Sequence, residues 1–557
     1  MLRILPALTL LAMLGPVGAG LAGALFPAFG HLPEAGFEGP SMAAVRQLLA
    51  WGGFWEASRL SVTTGILATL CSLAIVTLIV AGWSGTRAFA WLERALSPLL
   101  SVPHAAVAFG LAFLVAPSGW LMRLVAPITG WERPPDALIV GDQWGLTMTA
   151  GLIVKEVPFL LLMTLAALPQ VRAAPSVLVA QSLGYGRVTG WLKTVFPGVY
   201  AQIRLPVYVV LAYSMSVVDV ALILGPTTPA TLSVQIVEWM GAPELSSRLT
   251  AAAGSIWQAL LVGAVLLLWR AGEHLVARYG RSWAEGGRRS TGDAVLRRAG
   301  LLLAVVSASA VLLGLALLAL WSVAARWRWP DIAPDGLTAR TWIRHAPDLG
   351  EAAGDTFLVA GICTIVALVL TVGCLEAEHR FGHRMTRRAT LLLYLPLLVP
   401  QTAFLPGLQT FLLSIDADTG RAPVIAAHLV FVLPYVFLSL GDPWRAWDTR
   451  YGTVAAGLGA SASRVLWAVR LPMLLGPLLT ASAIGVAVSV GQYLPTLLIG
   501  GGRVSTLTTE AVALSSGGDR RAIGAFALAQ TMAALLPFAL AIGLPALAYR
   551  NRRGLRG

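Results

Sequence analysis

The amino-acid sequence predicts an all-α integral membrane protein with about twelve transmembrane helices. Hydrophobic residues make up 57% of its 557 residues and charged residues only 12%, whereas a soluble domain carries about 25% charged residues. The apolar stretches are long and continuous, which suits helices and not the short alternating strands of a membrane barrel. A short pattern that occurs twice indicates that the helices form two similar sets.

Twelve apolar stretches are long enough to cross about 30 Å of hydrocarbon. They lie near 2–26, 60–83, 96–116, 144–168, 199–224, 251–270, 299–322, 355–375, 389–413, 422–440, 476–499 and 523–548. The first stretch follows Arg3 and ends in small residues, so a cleaved signal peptide is an alternative interpretation. A comparable stretch follows Arg297 and Arg298, in the middle of the chain, where it cannot be a signal peptide. This parallel favours a retained first helix.

The distribution of basic residues predicts the orientation, because short loops rich in Lys and Arg stay in the cytoplasm. Arginines concentrate in alternate loops, with a dense group in residues 271–297 and another near the carboxyl terminus. Both termini are therefore expected in the cytoplasm of a multi-pass protein. The net charge of +13 is dispersed over these membrane-flanking loops, so nucleic-acid binding is not expected.

The repeated pattern lies in two polar breaks between apolar stretches. Glycine and proline are thirteen positions apart in each copy, and the copies are separated by 275 positions. The shared positions are Ala180, Gly184 and Pro197 in the first copy and Ala455, Gly459 and Pro472 in the second. Each copy also contains a tryptophan, Trp191 and Trp467, one position out of register with each other. Each copy is predicted to be two short helices joined at a glycine with left-handed backbone. Val179, Ala180 and Leu183 would share one face, open to another surface.

Further matches extend the duplication along the chain. They pair Pro103-His104 with Pro400-Gln401 and Thr231-Leu232 with Thr506-Leu507. The sequence therefore predicts a first repeat at 1–270, a linker at 271–297 and a second repeat at 298–557, with coupling loops at 175–197 and 448–472. An even number of helices in each repeat predicts a parallel arrangement about an axis along the membrane normal.

The repeated pattern resembles the cytoplasmic EAA loop of permease subunits of bacterial ABC importers. In that family, Glu-Ala-Ala, three residues and Gly, followed thirteen positions later by Pro, form the helix that docks on the ATP-binding subunit. The second alanine, the glycine and the proline are kept here. The glutamate is replaced by Leu178 and Thr453, and the first alanine by Val179 and Val454. The fused arrangement of two six-helix repeats is similar to permeases of the thiamine and ferric iron importer group.

The resemblance implies a transport subunit that is not itself an enzyme. Its expected partners are two copies of an ATP-binding subunit, a periplasmic substrate-binding protein and the lipid of the inner membrane. The phosphate-binding loop G-x-x-x-x-G-K-[ST] needs a lysine, and the two lysines of the chain, Lys155 and Lys193, lack the glycines. The ATP site is therefore expected on a separate polypeptide.

Four polar residues within apolar stretches are candidates for the translocation path: Lys155, Glu156, Asp219 and Gln492. Charges inside membrane helices are costly and usually face a bundle interior or water. Polar contacts to adjacent helices are the alternative role. No catalytic residue, cofactor or metal site is expected, and the pair His379 and His383 is interpreted as part of a solvated loop.

Two other classes of protein are weighed against the importer. An ion-driven secondary transporter could also have twelve helices in two parallel repeats, but it would have no use for duplicated docking loops. An intramembrane enzyme would need catalytic residues that the sequence lacks. The substrate implied by the resemblance is thiamine or a related small cation, with ferric iron as the alternative.

Overall fold

The computed structural model describes residues 2–33, 36–290, 292–382, 386–417 and 420–548. Over these ranges it consists of helices and their connections, with only two isolated β-bridges, so the all-α prediction is confirmed. His383, one of the two histidines considered above, lies outside the described residues.

Thirteen helices form the first half of the chain. They are α1 (Leu5–Ala28), α2 (Ala43–Ala50), α3 (Phe54–Trp83), α4 (Arg87–Leu96), α5 (His104–Val115), α6 (Trp120–Thr129), α7 (Leu146–Ala167), α8 (Ala173–Ser182), α9 (Arg187–Thr194), α10 (Phe196–Ser216), α11 (Asp219–Leu224), α12 (Leu232–Gly241) and α13 (Ser246–Glu285). A 3-10 turn, Ser97–Ser101, joins α4 to α5.

The second half follows the same order. Its helices are α14 (Ala294–Ser322), α15 (Arg340–Arg344), α16 (Ala346–Phe381), α17 (Arg387–Leu398), α18 (Gln401–Ser414), α19 (Arg421–Arg445), α20 (Arg450–Gly457), α21 (Ala462–Val465), α22 (Leu471–Met473), α23 (Leu475–Val490), α24 (Leu494–Gly500), α25 (Leu507–Ala513) and α26 (Arg520–Ala548). A π-helical turn, Leu466–Arg470, joins α21 to α22.

Across the described ranges, nine helices are long and apolar enough to cross a membrane, and the number rises to twelve if each of three bent helix pairs counts as one span. This agrees with the expected number of about twelve. The ninth predicted stretch, 389–413, is divided between α17 and α18, which meet at an angle of 82°. Pro400 cannot continue a helix, and it forces the preceding Val399 into extended backbone.

The duplicated sequence positions begin equivalent helices. Helices α5 and α18 both start directly after a proline, Pro103 and Pro400. Helices α12 and α25 both start after a threonine, Thr231 and Thr506. Proline and threonine favour such first positions because they fix or cap the entering backbone. The short repeats in the sequence therefore correspond to repeated helix boundaries.

The first helix of each half packs against the other half. Helix α1 contacts α16, α18 and α19, while α14 contacts α3, α5 and α7. Glycines allow the closest crossings: a β-carbon on Gly407 of α18 would collide with the backbone oxygen of Gly20 in α1. In the equivalent crossing, a β-carbon on Gly110 of α5 would come within 2.8 Å of the carbonyl carbon of Gly314 in α14. The sequence analysis did not predict this exchange.

Candidate functional site

The first coupling loop (175–197) folds as two short helices joined at Gly184. Gly184 has a φ of +85°, which confirms the predicted left-handed glycine. Val179 and Leu183 are 59% and 53% exposed, whereas Ala180 is 1% exposed. The expectation that Ala180 shares the open face is therefore wrong. Its methyl group instead packs against Gly190 of α9, so the small side chain allows the two helices of the loop to approach each other.

The part of the linker between α13 and α14 holds the first coupling loop through hydrogen bonds. The backbone N–H of Val188 donates to the carboxylate of Asp293 at 2.6 Å, and the N–H of Gly186 donates to the carbonyl of Ser290 at 2.9 Å. Asp293 thus caps the amino terminus of α9 from another part of the chain, where a negative charge also opposes the helix dipole.

Lys193 makes the reverse connection, from the loop to the end of α13. Its ammonium donates to the carbonyls of Trp283 at 3.0 Å and Arg288 at 3.1 Å. It also lies over the rings of Trp283 and Tyr185, 4.6 and 5.1 Å from their centroids. A cation near the last carbonyls of a helix stabilises that terminus. Loop and linker therefore cap each other's helices.

A groove of about 510 Å³ lies between the first coupling loop and the end of α13. Its lining includes Pro175, Val179, Ala180, Leu183, Lys193 and Ala284. The groove is apolar with one cation at its side, and it opens next to the exposed face of α8. An apolar side chain from another protein could enter here.

The second coupling loop (448–472) repeats the left-handed glycine but not the burial of its tryptophan. Gly459 has a φ of +83°, again as predicted. Trp467 is 71% exposed, whereas Trp191, which aligns with the neighbouring Leu466, is 2% exposed. Val454 and Leu458 are 63% and 84% exposed and correspond in sequence to Val179 and Leu183. The two loops therefore expose apolar side chains at matching positions.

Ion pairs anchor the second coupling loop to α16. The carboxylate of Glu376 accepts from Arg470 at 2.9 Å and from Arg380 at 2.6 Å. The guanidinium of Arg470 lies 4.9 and 4.4 Å from the ring centroids of Trp444 and Trp447. Arg470 and Glu376 are both buried. Removal of either side chain would leave the other charge buried without its partner, which is strongly destabilising.

The ends of the second loop are capped by its own residues. The hydroxyl of Ser461 accepts from the N–H of Arg464 at 3.3 Å and caps the start of α21. Asp448 accepts from the N–H of Arg450 at 3.0 Å, and hydrogen bonds from Arg450 lower the pKa of the Asp448 carboxyl. Pro197 and Pro472 stand in the first turns of α10 and α22, where proline is tolerated.

Lys155 and Glu156 lie next to each other in α7, and both are buried. The ammonium of Lys155 donates to the carbonyls of Leu99, Leu100 and Val102 at 3.2, 2.8 and 2.6 Å. Lys155 thus provides hydrogen-bond donors to the backbone carbonyls at the end of the 3-10 turn before α5. Polar contacts of this kind to a neighbouring segment are the alternative role given for Lys155 in the sequence analysis. Glu156 points elsewhere, toward His104 of α5, whose Nε2 lies 3.6 Å from its carboxylate.

Asp219 and Gln492 both stand where a helix is interrupted. Asp219 begins α11 directly after the break that follows α10, and Gln492 lies in the break between α23 and α24. The side-chain N–H of Gln401 donates to the side-chain oxygen, Oε1, of Gln492 at 3.3 Å. Asp219 stands on α11, which packs against α5, the helix that begins at His104. His104 and Gln401 are equivalent positions, so each half joins the start of one helix to the interruption of another.

Three tyrosines that the sequence analysis did not single out complete this region. Tyr213 packs on His104 with ring centroids 4.8 Å apart. Tyr435 of α19 and Tyr493, at the start of α24, belong to the second half and are each half-buried. Tyrosine within an apolar stretch was the available signal, but its partners lie on distant segments. Within the described ranges, no group of three or more metal-ligating side chains occurs.

Comparisons with known proteins point to one family. Residues 354–552 match the family described as binding-protein-dependent transport system inner membrane component. The chain is 32% identical to the inner membrane ABC transporter permease protein YnjC of Escherichia coli, over 89% of each protein. It is 28% identical to the molybdenum transport system permease protein ModB of Mycobacterium tuberculosis, over 34% of this chain and 73% of that protein.

A third relative is named for a different kind of solute. It is the putative 2-aminoethylphosphonate transport system permease protein PhnV of Salmonella typhimurium, 25% identical over 31% of this chain and 66% of that protein. The names of these relatives agree on a membrane permease and differ in the solute.

Proposed function

The chain belongs to the ABC transporter permeases of the inner membrane, and from this membership we propose that it is the membrane subunit of an ATP-driven importer. In this proposal, separate ATP-binding subunits dock on the two coupling loops, one on each. A periplasmic binding protein delivers the solute to the opposite face. The chain supplies the path and is not itself an enzyme.

One observation carries the proposal: two loops with a common sequence pattern expose matching apolar side chains. Val179 and Leu183 in the first loop and Val454 and Leu458 in the second are each more than half exposed. Each loop turns at a glycine with positive φ. Exposed apolar residues on a rigid, ordered loop are typical of a surface that binds another protein.

The motor is proposed to be a separate polypeptide. Neither lysine could serve a phosphate-binding loop, because Lys155 bonds to three backbone carbonyls and Lys193 to two. Neither is preceded by the glycines that such a loop requires. Two copies of the ATP-binding subunit would match the two loops.

The domain boundaries and orientation also belong to the proposal. The repeats are placed at 1–270 and 298–557 with the linker 271–297 between them, and both termini are placed in the cytoplasm. The extended basic end of α13, with Arg278 and Arg281, supports this orientation because basic segments remain inside. The hydrogen bonds from Asp293 and Ser290 to the first coupling loop support the proposal that both lie on the same side.

The proposed substrate is thiamine or a related small cation, with ferric iron as the alternative. Relatives named for molybdenum, 2-aminoethylphosphonate and spermidine/putrescine transport differ in the charge of the solute. Their names therefore do not select one class. The fused pair of repeats, similar to the thiamine and ferric iron group, is an argument by analogy.

The proposal is tested by uptake into proteoliposomes. The chain would be purified with the ATP-binding subunit encoded beside it, reconstituted, and supplied with the binding protein and radiolabelled thiamine. We expect uptake that requires hydrolysable ATP inside the vesicle and stops with a non-hydrolysable analogue. Uptake by the chain alone, driven by an ion gradient, would favour the secondary transporter instead.

A further inference from the structure

A cluster of charged and aromatic side chains lies where α10 packs against α13, and we call it the interface cluster. Its members, three from each helix, are Tyr200, Arg204, Tyr208, Trp269, Arg270 and Glu273. The apolar stretch of α13 ends at Arg270, and that of α10 begins at residue 199. The cluster therefore lies at the level where the hydrocarbon of a membrane gives way to lipid headgroups.

One carboxylate holds the interface cluster together. The side chain of Glu273 is 8% exposed and accepts from the hydroxyl of Tyr200 at 2.6 Å and from that of Tyr208 at 3.0 Å. Nη1 of Arg270 donates to Oε2 of Glu273 at 2.7 Å, and Nε of Arg204 lies 3.3 Å from the same oxygen. Glu273 thus fixes two guanidinium groups side by side, one from each helix.

The charges of the interface cluster do not balance. Two guanidinium groups face one carboxylate, which leaves a net charge of +1. Glu273 is the only ion-pair partner of Arg204 and Arg270 among the described residues, although each guanidinium carries several N–H donors. The side chains of the two arginines remain 37% and 43% exposed. The cluster therefore presents positive charge and free N–H donors at the protein surface.

The exposed side of the interface cluster continues into a surface that lipid tails cover. Helix α13 is long and apolar enough to cross a membrane. Leu260, Leu267 and Arg270 lie on one face of this helix, because they are seven and three positions apart. Leu260 and Leu267 are 62% and 73% exposed. Arg270 therefore stands at the end of a lipid-facing stripe, where it meets headgroups.

A phosphate diester attached to acyl chains suits this arrangement. Guanidinium groups bind phosphate oxygens through paired, charge-assisted hydrogen bonds. Tyrosine and tryptophan at a membrane interface place their rings among the tails and their polar edges at the headgroups. Basic pockets between membrane helices bind anionic lipid headgroups. A free phosphate ion would use the two arginines but gain nothing from the exposed leucines.

The equivalent positions of the second half lack these polar groups. Tyr200 and Arg204 correspond, 275 positions later, to Leu475 and Leu479. Leucine side chains have no donor for a phosphate oxygen. The cluster is therefore a feature of the first half, and it is not part of the duplicated pattern.

An aromatic chain joins the interface cluster to the first coupling loop. The ring centroid of Tyr200 lies 5.6 Å from that of Phe196, and Phe196 lies 6.0 Å from the buried Trp191 of the loop. The indole of Trp269 donates to the hydroxyl of Tyr200 at 3.0 Å. Since Tyr200 also bonds to Glu273, a ligand that holds the two arginines restrains α10, α13 and the coupling loop together.

We infer that the interface cluster is a binding site for the headgroup of an anionic phospholipid, with Arg204 and Arg270 holding the phosphate and Glu273 positioning the two arginines. The inference goes beyond the proposed function and does not depend on it, because such a site serves a membrane transporter whatever energises it. It makes the first coupling loop sensitive to the lipid composition of the membrane.

Lipid binding to the purified permease tests the inference. The full chain, delipidated in detergent, would be titrated with phosphatidylglycerol or phosphatidylcholine, and bound lipid would be counted by native mass spectrometry. We expect saturable binding of phosphatidylglycerol, at least about tenfold tighter than that of phosphatidylcholine, because only phosphatidylglycerol has a net negative charge. Equal affinity for the two lipids would overturn the inference. Displacement of phosphatidylglycerol by an equal concentration of inorganic phosphate would indicate a site for a free ion and reject the lipid.

Arginine variants locate the binding in the interface cluster. Arg204→Gln and Arg270→Gln should each weaken phosphatidylglycerol binding about tenfold, because a charge-assisted contact is lost. Arg59→Gln is the matched control, since Arg59 forms a similar exposed ion pair with Glu56, three residues away on α3, but without a second arginine. It should bind phosphatidylglycerol like the unchanged protein. Unchanged binding in both Arg204→Gln and Arg270→Gln would reject the assignment.

A gain of binding is expected when the carboxylate is neutralised. Glu273→Gln keeps an oxygen acceptor for the two tyrosines and raises the net charge of the cluster from +1 to +2. Phosphatidylglycerol should therefore bind more tightly, an effect that misfolding of the variant cannot produce. Absence of this gain would contradict a site selected by charge.

Hydrogen exchange tests the link to the first coupling loop. Nanodiscs of phosphatidylcholine with added phosphatidylglycerol should slow exchange in 187–194 relative to phosphatidylcholine alone, and leave exchange in 450–457 unchanged. Tyr200→Phe keeps the ring but removes the hydroxyl that bonds to Glu273, so the slowing should be lost while lipid still binds. Equal slowing in both coupling loops would show a general effect of membrane charge and refute the link.

Discussion

The first coupling loop (175–197) buries Trp191 at 2% exposure, whereas the second (448–472) leaves Trp467 at 71% exposure. The first is tied to the linker by Asp293, Ser290 and Lys193, and the second to α16 by the ion pairs of Glu376. The linker occurs once in the chain, so only one loop can use it. The common sequence pattern thus fixes the left-handed glycine in both loops. The prediction of two short helices holds for the first loop and is wrong for the second, where a π-helical turn, Leu466–Arg470, lies between α21 and α22. The attachment of each loop depends on what its half has nearby.

The attachments also differ in what they connect. The linker leads from the first coupling loop into α14, and α14 packs against α3 and α5 of the first half. A displacement of the first loop therefore acts on a helix of the second half through a few hydrogen bonds. The second loop acts on α16 within its own half. The predictions below test this difference in order of decreasing expected effect.

The largest contrast is expected between the two tryptophans. Trp191→Ala removes a fully buried indole and should lower the free energy of unfolding by about 3–5 kcal/mol. Trp467→Ala removes an exposed side chain and should change it by less than about 0.5 kcal/mol. Thermal unfolding of the purified permease in detergent measures both. Equal destabilisation by the two substitutions would show that the loops are anchored alike.

The buried ion pair of the second loop should have the next largest effect. Glu376→Ala leaves the buried guanidinium of Arg470 without its counter-charge and should cost about 3–5 kcal/mol. The double variant Glu376→Gln with Arg470→Met should recover much of that loss, because no charge remains buried. The rate of protease cleavage within 448–472 measures the local loss of stability.

Arg450→Ala is the matched control for this ion pair. It removes the exposed partner of Asp448, and exposed ion pairs contribute little, so protease resistance should remain unchanged. Rapid cleavage of Arg450→Ala, or slow cleavage of Glu376→Ala, would contradict the role given to Glu376.

The two turning glycines should respond alike, since each has a positive φ. Gly184→Val and Gly459→Val force a β-branched residue into left-handed backbone, at a cost of about 1–2 kcal/mol each. We expect membrane insertion to persist and ATP hydrolysis per transported solute to rise. Gly457→Val is the control, because Gly457 has no positive φ and a β-carbon there meets nothing within 4 Å. Normal coupling in both Gly184→Val and Gly459→Val would refute this prediction.

The caps should give the smallest and most local effects. Asp293→Ala and Ser461→Ala each remove a helix cap, worth about 1 kcal/mol. Hydrogen exchange should rise in both 186–194 and the linker for Asp293→Ala, because the cap joins them. It should rise only within the second loop for Ser461→Ala. Confinement of the Asp293→Ala effect to the linker would show that the linker does not hold the first loop.

Local patterns predicted the helices well and the contacts between them poorly. The helix starts after Pro103 and Pro400 and the left-handed backbone of Gly184 and Gly459 follow from the conformational limits of single residues. The exchange of α1 and α14 between the halves does not, because it depends on surfaces far apart in sequence. Gly20 and Gly314 marked those crossings, but glycine in a membrane helix is common.

The polar residues show the same limit. Lys155 and Glu156 are adjacent in sequence and were considered together, yet one satisfies backbone carbonyls while the other faces His104. Neighbours on a helix point in different directions, so their roles had to diverge. The partner of each side chain depends on where α5 and the turn before it lie, and only the folded structure shows their position. The packing of Tyr213 on His104 was missed because the two residues lie on helices far apart in sequence.

The central claim is that both coupling loops bind an ATP-driven partner through their exposed apolar residues. The most direct test replaces Leu183 or Leu458 with a photo-crosslinking amino acid, one at a time, in membranes that contain the chain and its ATP-binding subunit. The account predicts that each position crosslinks to the ATP-binding subunit and that the yield changes when ATP is added. Absence of crosslinks at both positions, while ATP-dependent uptake continues, would contradict it.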